Sequence, residues 1–494
     1  MAEFKYVRWT TVKAYTKSSG GKVILELLWG DRVEILSQPY NGRQKVRARW
    51  AKWIYVDPDS LGDQPLLELY FIDVGQGDGI LLVTPDRKHV LIDGGYNRKK
   101  QPHRKSAADF VDWKFFEEYG MDTVELDAMI ASHCDADHYG GLWDLLSKKE
   151  EDRAELDTRE TKVEKFYHAG VSWWKSDEKS RFLGREEDGR LLDLLKGRMS
   201  VADGLKSSSD LRLQGEWKEF LECVYDSGAA IERLAYNPEK AFDYLTDFGP
   251  DDDVQIKVLG PIEETYDGKP TLKDLGGKST NTNGNSLVLR VDYGRSRILL
   301  TGDLNKKSQQ HILESLAGNT QELAADVTKS CHHGSDDCSY SFLQYVRAAA
   351  TIISSGDDET HAHPRPNIVA ASGASGYAHI EKDEMITPLI YSTEISRSYR
   401  LAEPYQVDQE QHESDLGVVD ISLKDMEKTS VCYKHTKSGA LNGSKRSKFM
   451  NETLVVDGIV YGLVNVRTDG NRIVCATLNE GKSKWDIKEF NSRF

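Results

Sequence analysis

"LDAMIASHCDADHYGGLWDLLS", residues 126–147, is the stretch of sequence that decides the fold. It opens with an apolar run typical of a buried strand and closes with the pattern of a loop that turns into a helix. Between them lies an H-x-D-x-D-H pattern formed by His133, Asp135, Asp137 and His138. Because functional side chains often lie on loops at strand ends, the segment predicts a strand, a ligand-bearing loop and a helix.

The four polar side chains of this motif are nitrogen and oxygen donors, which suit zinc or manganese. A two-metal hydrolytic centre needs ligands on both sides. His133 and Asp135 can point to one ion, and Asp137 and His138 to the other. The alternative is a solvated polar turn in which Asp137 is favourable near a helix N-terminus. The motif alone leaves both interpretations open.

Three further polar clusters each follow an apolar, strand-like run: Asp93 in "LIDGG", Asp303 in "LLTGD", and His332 with His333 in "CHHGS". Each has a simpler explanation, as a turn residue, a helix cap, or a core or surface histidine pair. Asp93 can also orient a metal-bound histidine by a hydrogen bond. Four such clusters in succession favour one shared site over four coincidences.

The bulk composition narrows the class of protein. A chain of 494 residues is long enough for more than one domain. The net charge of −15 excludes a uniformly basic nucleic-acid binder, but not a locally basic groove. The sequence shows no signal-peptide pattern and no apolar run long enough to span a membrane. Its six cysteines form no CxxC pair, so we expect free thiols and a cytoplasmic protein.

Several segments together resemble the metallo-β-lactamase superfamily, and within it the hydrolase domain of the ComEC/Rec2 competence proteins. They are "FIDVGQGDGILL", "LIDGG", "SHCDADHYGGL", "NGNSLVLRVDYGRSRILLTGD", "CHHGSDDCSYSFL" and "IISSGDDETHAHP". The resemblance covers residues from about 66 to 370. It implies an α/β fold, a four-layer αβ/βα sandwich with a dinuclear metal site at the edge between two sheets.

The domain organisation follows from changes in sequence pattern. Residues 1–60 resemble a bacterial SH3-type module, a small all-β domain whose expected ligand is a peptide or another cell component. We expect the hydrolase domain over 66–400, with a charged, mostly helical insertion at about 148–250. Residues 401–494 read as a polar linker followed by C-terminal strands that pack on the hydrolase domain.

The resemblance implies a role for each candidate ligand. Two divalent ions are expected, with zinc preferred and manganese as the alternative. His133 and Asp135 bind the first ion. The other two residues of the opening motif bind the second, together with one histidine of the later pair, for which we favour His333 over His332. Asp303 bridges both ions.

The resemblance also assigns residues around the substrate. His363 matches a family histidine that contacts or protonates the substrate's phosphate. The family's usual Asn and Tyr before the last His-Pro are Glu359 and His361 here, which makes His361 a second candidate proton donor. Asn283, Asn285 and Ser286 lie where other members carry a third histidine ligand.

A basic cluster, "NRKKQPHRK" at residues 97–105, directly follows the Asp93 loop. Its cations, among them Arg98 and Lys99, are equally consistent with a solvated loop and with phosphate contacts at the site mouth. The glycine-rich "DVGQGDG" is predicted as a strand-to-strand turn rather than a phosphate loop, because a strand follows it.

We therefore expect a metal-dependent phosphodiesterase or nuclease in which a metal-bridging hydroxide attacks phosphorus. His363 or His361 would assist the departing oxygen, and Asp137 is a catalytic candidate as well as a ligand. An aspartate at 135 and the missing third histidine argue against a β-lactamase. The alternatives are hydrolysis of phosphorylcholine esters, cyclic nucleotides or lactones at the same site, and a non-catalytic scaffold or sensor.

Overall fold

The structure of the chain is a computed structural model. It describes residues 2–49, 51–101, 104–356, 362–394, 398–402, 404, 428–437, 440–453, 455–460, 463–479 and 484–494. Within these residues, no helix is both long enough and apolar enough to cross a membrane.

The N-terminal region is an all-β sheet with a small core of its own, built around residues such as Val33, Val46 and Ile54. Its strands are β1 Glu3–Val7, β2 Thr11–Tyr15, β3 Val23–Leu28, β4 Arg32–Ile35, β5 Gln44–Ala48, β6 Ala51–Val56 and β7 Leu61–Gly62. Their order is β3-β2-β6-β5-β4-β1-β7. The resemblance of this region to an SH3-type module stays a prediction.

The next segment contains the opening motif. Its elements are β8 Leu67–Ile72, β9 Gly79–Val83, β10 His89–Gly94, α1 Ala107–Trp113, β11 Thr123–Ala131 and α2 Ala136–Leu146. The strand, loop and helix expected over 126–147 are confirmed by β11 and α2. The "DVGQGDG" segment joins the antiparallel strands β8 and β9, which confirms the strand-to-strand turn.

Residues 148–250 hold both helices and strands. The elements are α3 Glu150–Arg153, β12 Glu160–His168, β13 Trp174–Lys175, β14 Glu186–Glu187, β15 Arg190–Leu191, α4 Arg198–Leu205, β16 Arg212–Leu213, α5 Gly215–Ser227 and β17 Ala230–Arg233. Strands β12 and β17 pair in parallel beside β11. The segment is therefore part of the central sheet rather than a purely helical addition, because the buried face of β12 covers core that β11 alone would leave exposed.

The second half of the sandwich follows. Its elements are β18 Val254–Gly260, β19 Glu263–Tyr266, β20 Lys269–Lys273, α6 Lys278–Gly284, β21 Val288–Tyr293, β22 Ser296–Leu300, α7 Lys306–Ser315, β23 Val327–Lys329, α8 Tyr340–Val346, β24 Ala350–Ile353, α9 Pro366–Ser375, β25 His379–Glu381, β26 Glu384–Thr387 and β27 Leu389–Ser392.

The C-terminal strands return to the first sheet. They are β28 Ser398–Ala402, β29 Ser430–Lys437, β30 Ala440–Phe449, β31 Val455–Val460, β32 Leu463–Thr468, β33 Arg472–Asn479 and β34 Lys484–Asn491. Strand β32 pairs with β8, with Asn465 opposite Tyr70. Strands β32 and β33 form a hairpin around the Thr-Asp-Gly turn at residues 468–470.

Two large sheets form the centre of the protein. In the described part of the chain their orders are β17-β12-β11-β10-β9-β8-β32-β33-β34 and β18-β21-β22-β23-β24-β27. One apolar cluster lies between them and contains Leu69 and Ile130 from the first sheet and Leu289 from the second. Helices cover the outer faces, as Leu142 of α2 and Phe342 of α8 illustrate. The arrangement is the expected four-layer αβ/βα sandwich.

The parallel strands of both sheets carry the polar residues at their carboxyl ends. Strand β10 runs parallel to β11, and β22 runs parallel to β23 and β23 to β24. Loops at the carboxyl ends of parallel strands meet at one edge of a sheet, where ligands bind in open α/β folds. The topology thus brings distant polar clusters of the sequence to one edge of the sandwich.

Candidate metal centre

The loop between β11 and α2 presents the opening motif. Asp135 keeps an extended backbone at the N-cap of α2, and Asp137 lies in the first helical turn, where a carboxylate is favourable. The Gly140–Gly141 pair lets the helix approach β10 closely: a Cβ on Gly141 would lie 2.1 Å from the carbonyl oxygen of Gly94. These glycines therefore set the position of the ligand-bearing helix.

Asp93, at the end of β10, holds His138. Its Oδ1 accepts a hydrogen bond from the backbone N–H of Ser132 at 2.7 Å, and its Oδ2 lies 2.9 Å from Nδ1 of His138. Both side chains are buried. A proton on Nδ1 shared with this carboxylate leaves Nε2 of His138 as a ligand atom facing Asp303, 3.2 Å away.

The second sheet contributes Asp303 and the histidine pair. Oδ2 of Asp303 lies 3.1 Å from Nε2 of His333 and 3.8 Å from Nε2 of His332. Both histidines have positive φ, 45° and 52°, which turns the chain sharply after β23. His333 is buried and its Nδ1 lies 3.1 Å from the carbonyl oxygen of Ser354. His332 is half-buried and approaches Asn283 instead, at 3.2 Å.

Among the described residues, two groups of side chains could hold a metal ion. Asp78, Asp93 and His138 form the smaller group, and the larger group shares His138 with it. Asp137, His138, Asp303 and His333 each offer one ligand atom, and these atoms all lie within 4.8 Å of one another. His133 adjoins this group, with its ring centre 4.0 Å from that of His138. Its Nε2 lies 3.8 Å from Oδ2 of Asp135.

The donor set fits divalent cations. Among the described residues, the Nε2 atoms of His133, His138 and His333 are buried without a hydrogen-bond partner. A buried polar nitrogen without a partner is costly, and three that converge on carboxylates call for a cation between them. Imidazole nitrogens with carboxylate oxygens are the ligands of zinc and manganese.

The charges of the site are strongly coupled. Burial alone would lower the pKa of His333, but the carboxylates of Asp303 and Asp78 outweigh it and raise the pKa to about 10. Burial, followed by repulsion from Asp137, raises the pKa of Asp135 to about 6. His333 thus holds a proton where negative charge is crowded, whereas burial lowers the pKa of His133 well below its usual value. A bound cation would take over the role of the proton on His333 and release it.

Sequence reasoning missed two buried residues at the centre, Asp78 and Lys329. Oδ1 of Asp78 lies 3.3 Å from Nδ1 of His333, and its Oδ2 pairs with the Lys329 ammonium. The same ammonium lies 3.5 Å from Oδ1 of Asp303. Burial alone would lower the pKa of Lys329, but Asp78 and Asp303 raise it. The lysine therefore stays charged and forms ion pairs with both carboxylates.

The sequence did contain signals for both residues. Asp78 lies near the end of the "DVGQGDG" turn, within reach of His333 and Lys329, so the turn contributes a carboxylate to the site. Its Gly77 has φ of +112°, and a Cβ there would lie 1.8 Å from the carbonyl oxygen of Asp137. Lys329 ends the short, fully buried strand β23, and a buried lysine needs a carboxylate partner.

Of the other candidate residues, Ser286 lies within the centre. Its Oγ is 3.2 Å from Nδ1 of His133 and accepts the backbone N–H of Asp303. The Asn285 amide instead donates to the carbonyl oxygen of Asn281 at 3.0 Å, so it stabilises the local turn.

The basic loop is neutralised by carboxylates. Arg98 is buried and donates to Asp109 at 2.9 Å. Lys99 pairs with Glu151 at 2.7 Å and with Asp152 at 2.8 Å. Neither cation is brought to the metal group in this structure.

The loop after β24 is described only in part. The ring centre of His363 lies 5.6 Å from that of His332, at the edge of the centre. Glu359 and His361 lie outside the described residues, and the role expected for His361 stays a prediction.

Comparison with known proteins gives one family match. The model of the family described as "Metallo-beta-lactamase superfamily" matches residues 72–332, more than half of the chain. ComE operon protein 3 of Bacillus subtilis (strain 168) is 28% identical over 312 residues, which cover 61% of this chain and 30% of that protein. Competence protein ComA of Neisseria gonorrhoeae is 33% identical over 107 residues, covering 22% of this chain and 15% of that protein. The chain thus spans less than a third of the length of these relatives.

Solved structures with detectable similarity include two metallo-beta-lactamases. The enzyme from Cronobacter sakazakii is 12% identical, with a TM-score of 0.22, over 54% of this chain and 77% of that one. The Rm3 metallo-beta-lactamase is 13% identical, with a TM-score of 0.22, over 53% of this chain and 77% of that one.

Proposed function

The chain belongs to the metallo-beta-lactamase superfamily, and from this premise we propose that it is a phosphodiesterase or nuclease with two divalent metal ions. Zinc is the ion we expect first, and manganese is the alternative. The observation that carries the proposal is the convergence of Asp137, His138, Asp303 and His333 within 4.8 Å at the edge between the two sheets.

The chain's residues divide into two sets around the metals. We assign one ion to His133 and Asp135 and the other to Asp137, His138 and His333, with Asp303 between them. When bound there, two divalent ions would lower the pKa of water and neutralise charge that builds up on the phosphoryl oxygens.

The remaining residues position the ligands and move protons. Asp93 and Asp78 face the Nδ1 atoms of His138 and His333, so they hold both rings with Nε2 directed inward. Lys329 neutralises the outer oxygens of Asp78 and Asp303. His363, at the edge beside His332, would donate a proton to the departing oxygen.

A phosphodiester fits this centre better than a β-lactam. By the resemblance, Asp135 stands where lactamases carry a histidine, and Asn285 and Ser286 stand where they carry a third histidine ligand. An aspartate at 135 makes the ligand set harder and more oxygen-rich, which suits phosphate chemistry.

Hydrolysis of bis(p-nitrophenyl) phosphate by the full chain, loaded with zinc or with manganese, tests the proposal. We expect turnover that Asp137→Ala or Asp303→Ala lowers by at least about 100-fold, because each removes a carboxylate from the charged centre. Asp267→Asn is the control. Asp267 is exposed in a turn and is none of the candidate ligands, so this variant should keep wild-type turnover.

Other results would redirect the assignment. Turnover of a lactone, a cyclic nucleotide or a phosphorylcholine ester without turnover of the aryl phosphodiester would favour a different hydrolase. Wild-type turnover in both aspartate variants would refute the metal centre. Less than about one metal ion per chain after gentle purification would favour a scaffold or sensor.

A further inference from the structure

A cavity of about 630 Å³ opens beside the metal group and is lined by Asp135, Asp137, Trp173, Arg181 and Lys278. We infer that it is a nucleotide subsite: a base stacks at Trp173 and Arg181, and a second phosphate binds Arg181 and Lys278 while the scissile phosphate lies at the metals. This inference rests on the proposed function and specifies its substrate class. The volume lies within the range of about 300–1,000 Å³ typical of small-molecule sites.

Trp173 supplies a fixed aromatic surface next to the metal ligands. The residue is half-buried, and its indole Nε1 donates to the carbonyl oxygen of Cys134 at 3.2 Å. Cys134 lies between His133 and Asp135, so the indole is attached to the ligand loop itself. Every base has a flat aromatic face, so stacking on such a ring strengthens binding whichever base is present.

Arg181 extends this surface and adds charge. Its guanidinium carbon lies 4.9 Å from the centre of the Trp173 ring, and the residue is exposed. A guanidinium stacked on an aromatic ring keeps its edge N–H groups free for phosphate, and its plane can itself stack on a base.

Lys278 provides the second cation. It opens α6, it is exposed, and its ammonium donates to the backbone carbonyl oxygen of Arg181. Thr282, four residues later on the same helix, donates to Oδ2 of Asp135 at 2.8 Å. Lys278 therefore lies about one helical turn, ~5.4 Å along the axis, from Thr282, which contacts the candidate ligand Asp135.

The charges in the cavity are arranged for a ligand with two anionic groups. Within the described parts of the chain, neither Arg181 nor Lys278 forms an ion pair with a carboxylate. Nearby cations do: Arg212 pairs with Asp177 at 2.5 Å, and Lys100 pairs with Glu216. Two cations without a carboxylate, beside a group that would bind metals, favour phosphates at both ends of the cavity.

Binding of two nucleotides that contain no diester tests the subsite. Isothermal titration of the zinc-loaded full chain would compare thymidine 3′,5′-bisphosphate with thymidine 5′-monophosphate. We expect the bisphosphate to bind about tenfold more tightly to the wild type. Arg181→Gln combined with Lys278→Gln should reduce this preference to less than twofold. Trp173→Leu should weaken both ligands by about tenfold or more.

Lys179→Gln is the matched control, because Lys179 is an exposed lysine of the same segment that does not line the cavity. It should keep the preference for the bisphosphate. Equal affinity of the wild type for both nucleotides, or a preference that survives in the Arg181/Lys278 double variant, would overturn the subsite. Absence of bis(p-nitrophenyl) phosphate turnover in the same wild-type preparation would count against the proposed function alone.

Discussion

Replacing Asp93 by asparagine tests whether this carboxylate orients His138 for metal binding. Asp93 accepts from the backbone N–H of Ser132 at 2.7 Å and lies 2.9 Å from Nδ1 of His138. Its φ of 57° is in the left-handed region, which asparagine tolerates. The substitution therefore removes the charge and one of two acceptor oxygens without straining the backbone.

We expect zinc to bind the Asp93→Asn protein 10- to 100-fold more weakly, a loss of about 1.4–2.8 kcal/mol. The same magnitude follows from the lost interaction itself, because a hydrogen bond to a charged group contributes about 1.5–3 kcal/mol. The bond is fully buried, so solvent cannot replace it.

Competition with a chromophoric chelator would give the zinc Kd, and elemental analysis would give the number of ions bound. Asp267→Asn is the matched control, since Asp267 has φ of 49° but is exposed and distant in sequence from every candidate ligand. Zinc affinity within twofold of the wild type in Asp93→Asn would refute the reasoning. An equal loss in the control would show that the effect is not specific to His138.

Three further predictions concern packing. Gly77→Ala should lower phosphodiester turnover by about 100-fold, because its Cβ would lie 1.8 Å from the carbonyl oxygen of Asp137 and would displace that residue. Gly20→Ala is the control: Gly20 also has a positive φ, but the space around it is open, and the variant should keep wild-type turnover. Arg467→Met should lower the free energy of unfolding in urea by about 1.5–3 kcal/mol, because the buried guanidinium donates to Asp31 at 2.7 Å and its loss removes one of two arginines that pair with that carboxylate, Arg49 being the other; a loss below about 1 kcal/mol would contradict this. Asn465→Leu should stabilise the protein by about 1 kcal/mol in the same assay, because both amide atoms of this buried side chain lack partners among the described residues; destabilisation would show that the amide is satisfied.

The sequence alone determined the local parts of the site. The strand, loop and helix over 126–147 are encoded by neighbouring residues, since an apolar run, a polar motif and a Gly-Gly pair each act within a few positions. The capping box at the start of α1 is likewise local: Ser106 precedes Asp109 by three residues, and the Asp109 carboxylate accepts the Ser106 backbone N–H at 2.9 Å. Such features depend on short-range sterics and hydrogen bonds, so a sequence can reveal them.

Only the tertiary structure decided which distant residues meet. It places His333 rather than His332 nearest Asp303, through backbone turns that no pattern distinguishes. It also brings in Asp78 and Lys329, and it pairs the cations of the basic loop with carboxylates far along the chain.

The same limit holds for the architecture. Strand β32 adds to the edge of β8, although Asn465 and its partner Tyr70 lie nearly 400 residues apart in sequence. Strands β12 and β17 extend the other end of that sheet; the sequence pattern of residues 162–170 predicts a strand at β12, but it does not show which strands lie beside it. Pairing between remote strands is chosen by which apolar faces can be buried together, and that choice depends on the whole core rather than on any one stretch of sequence.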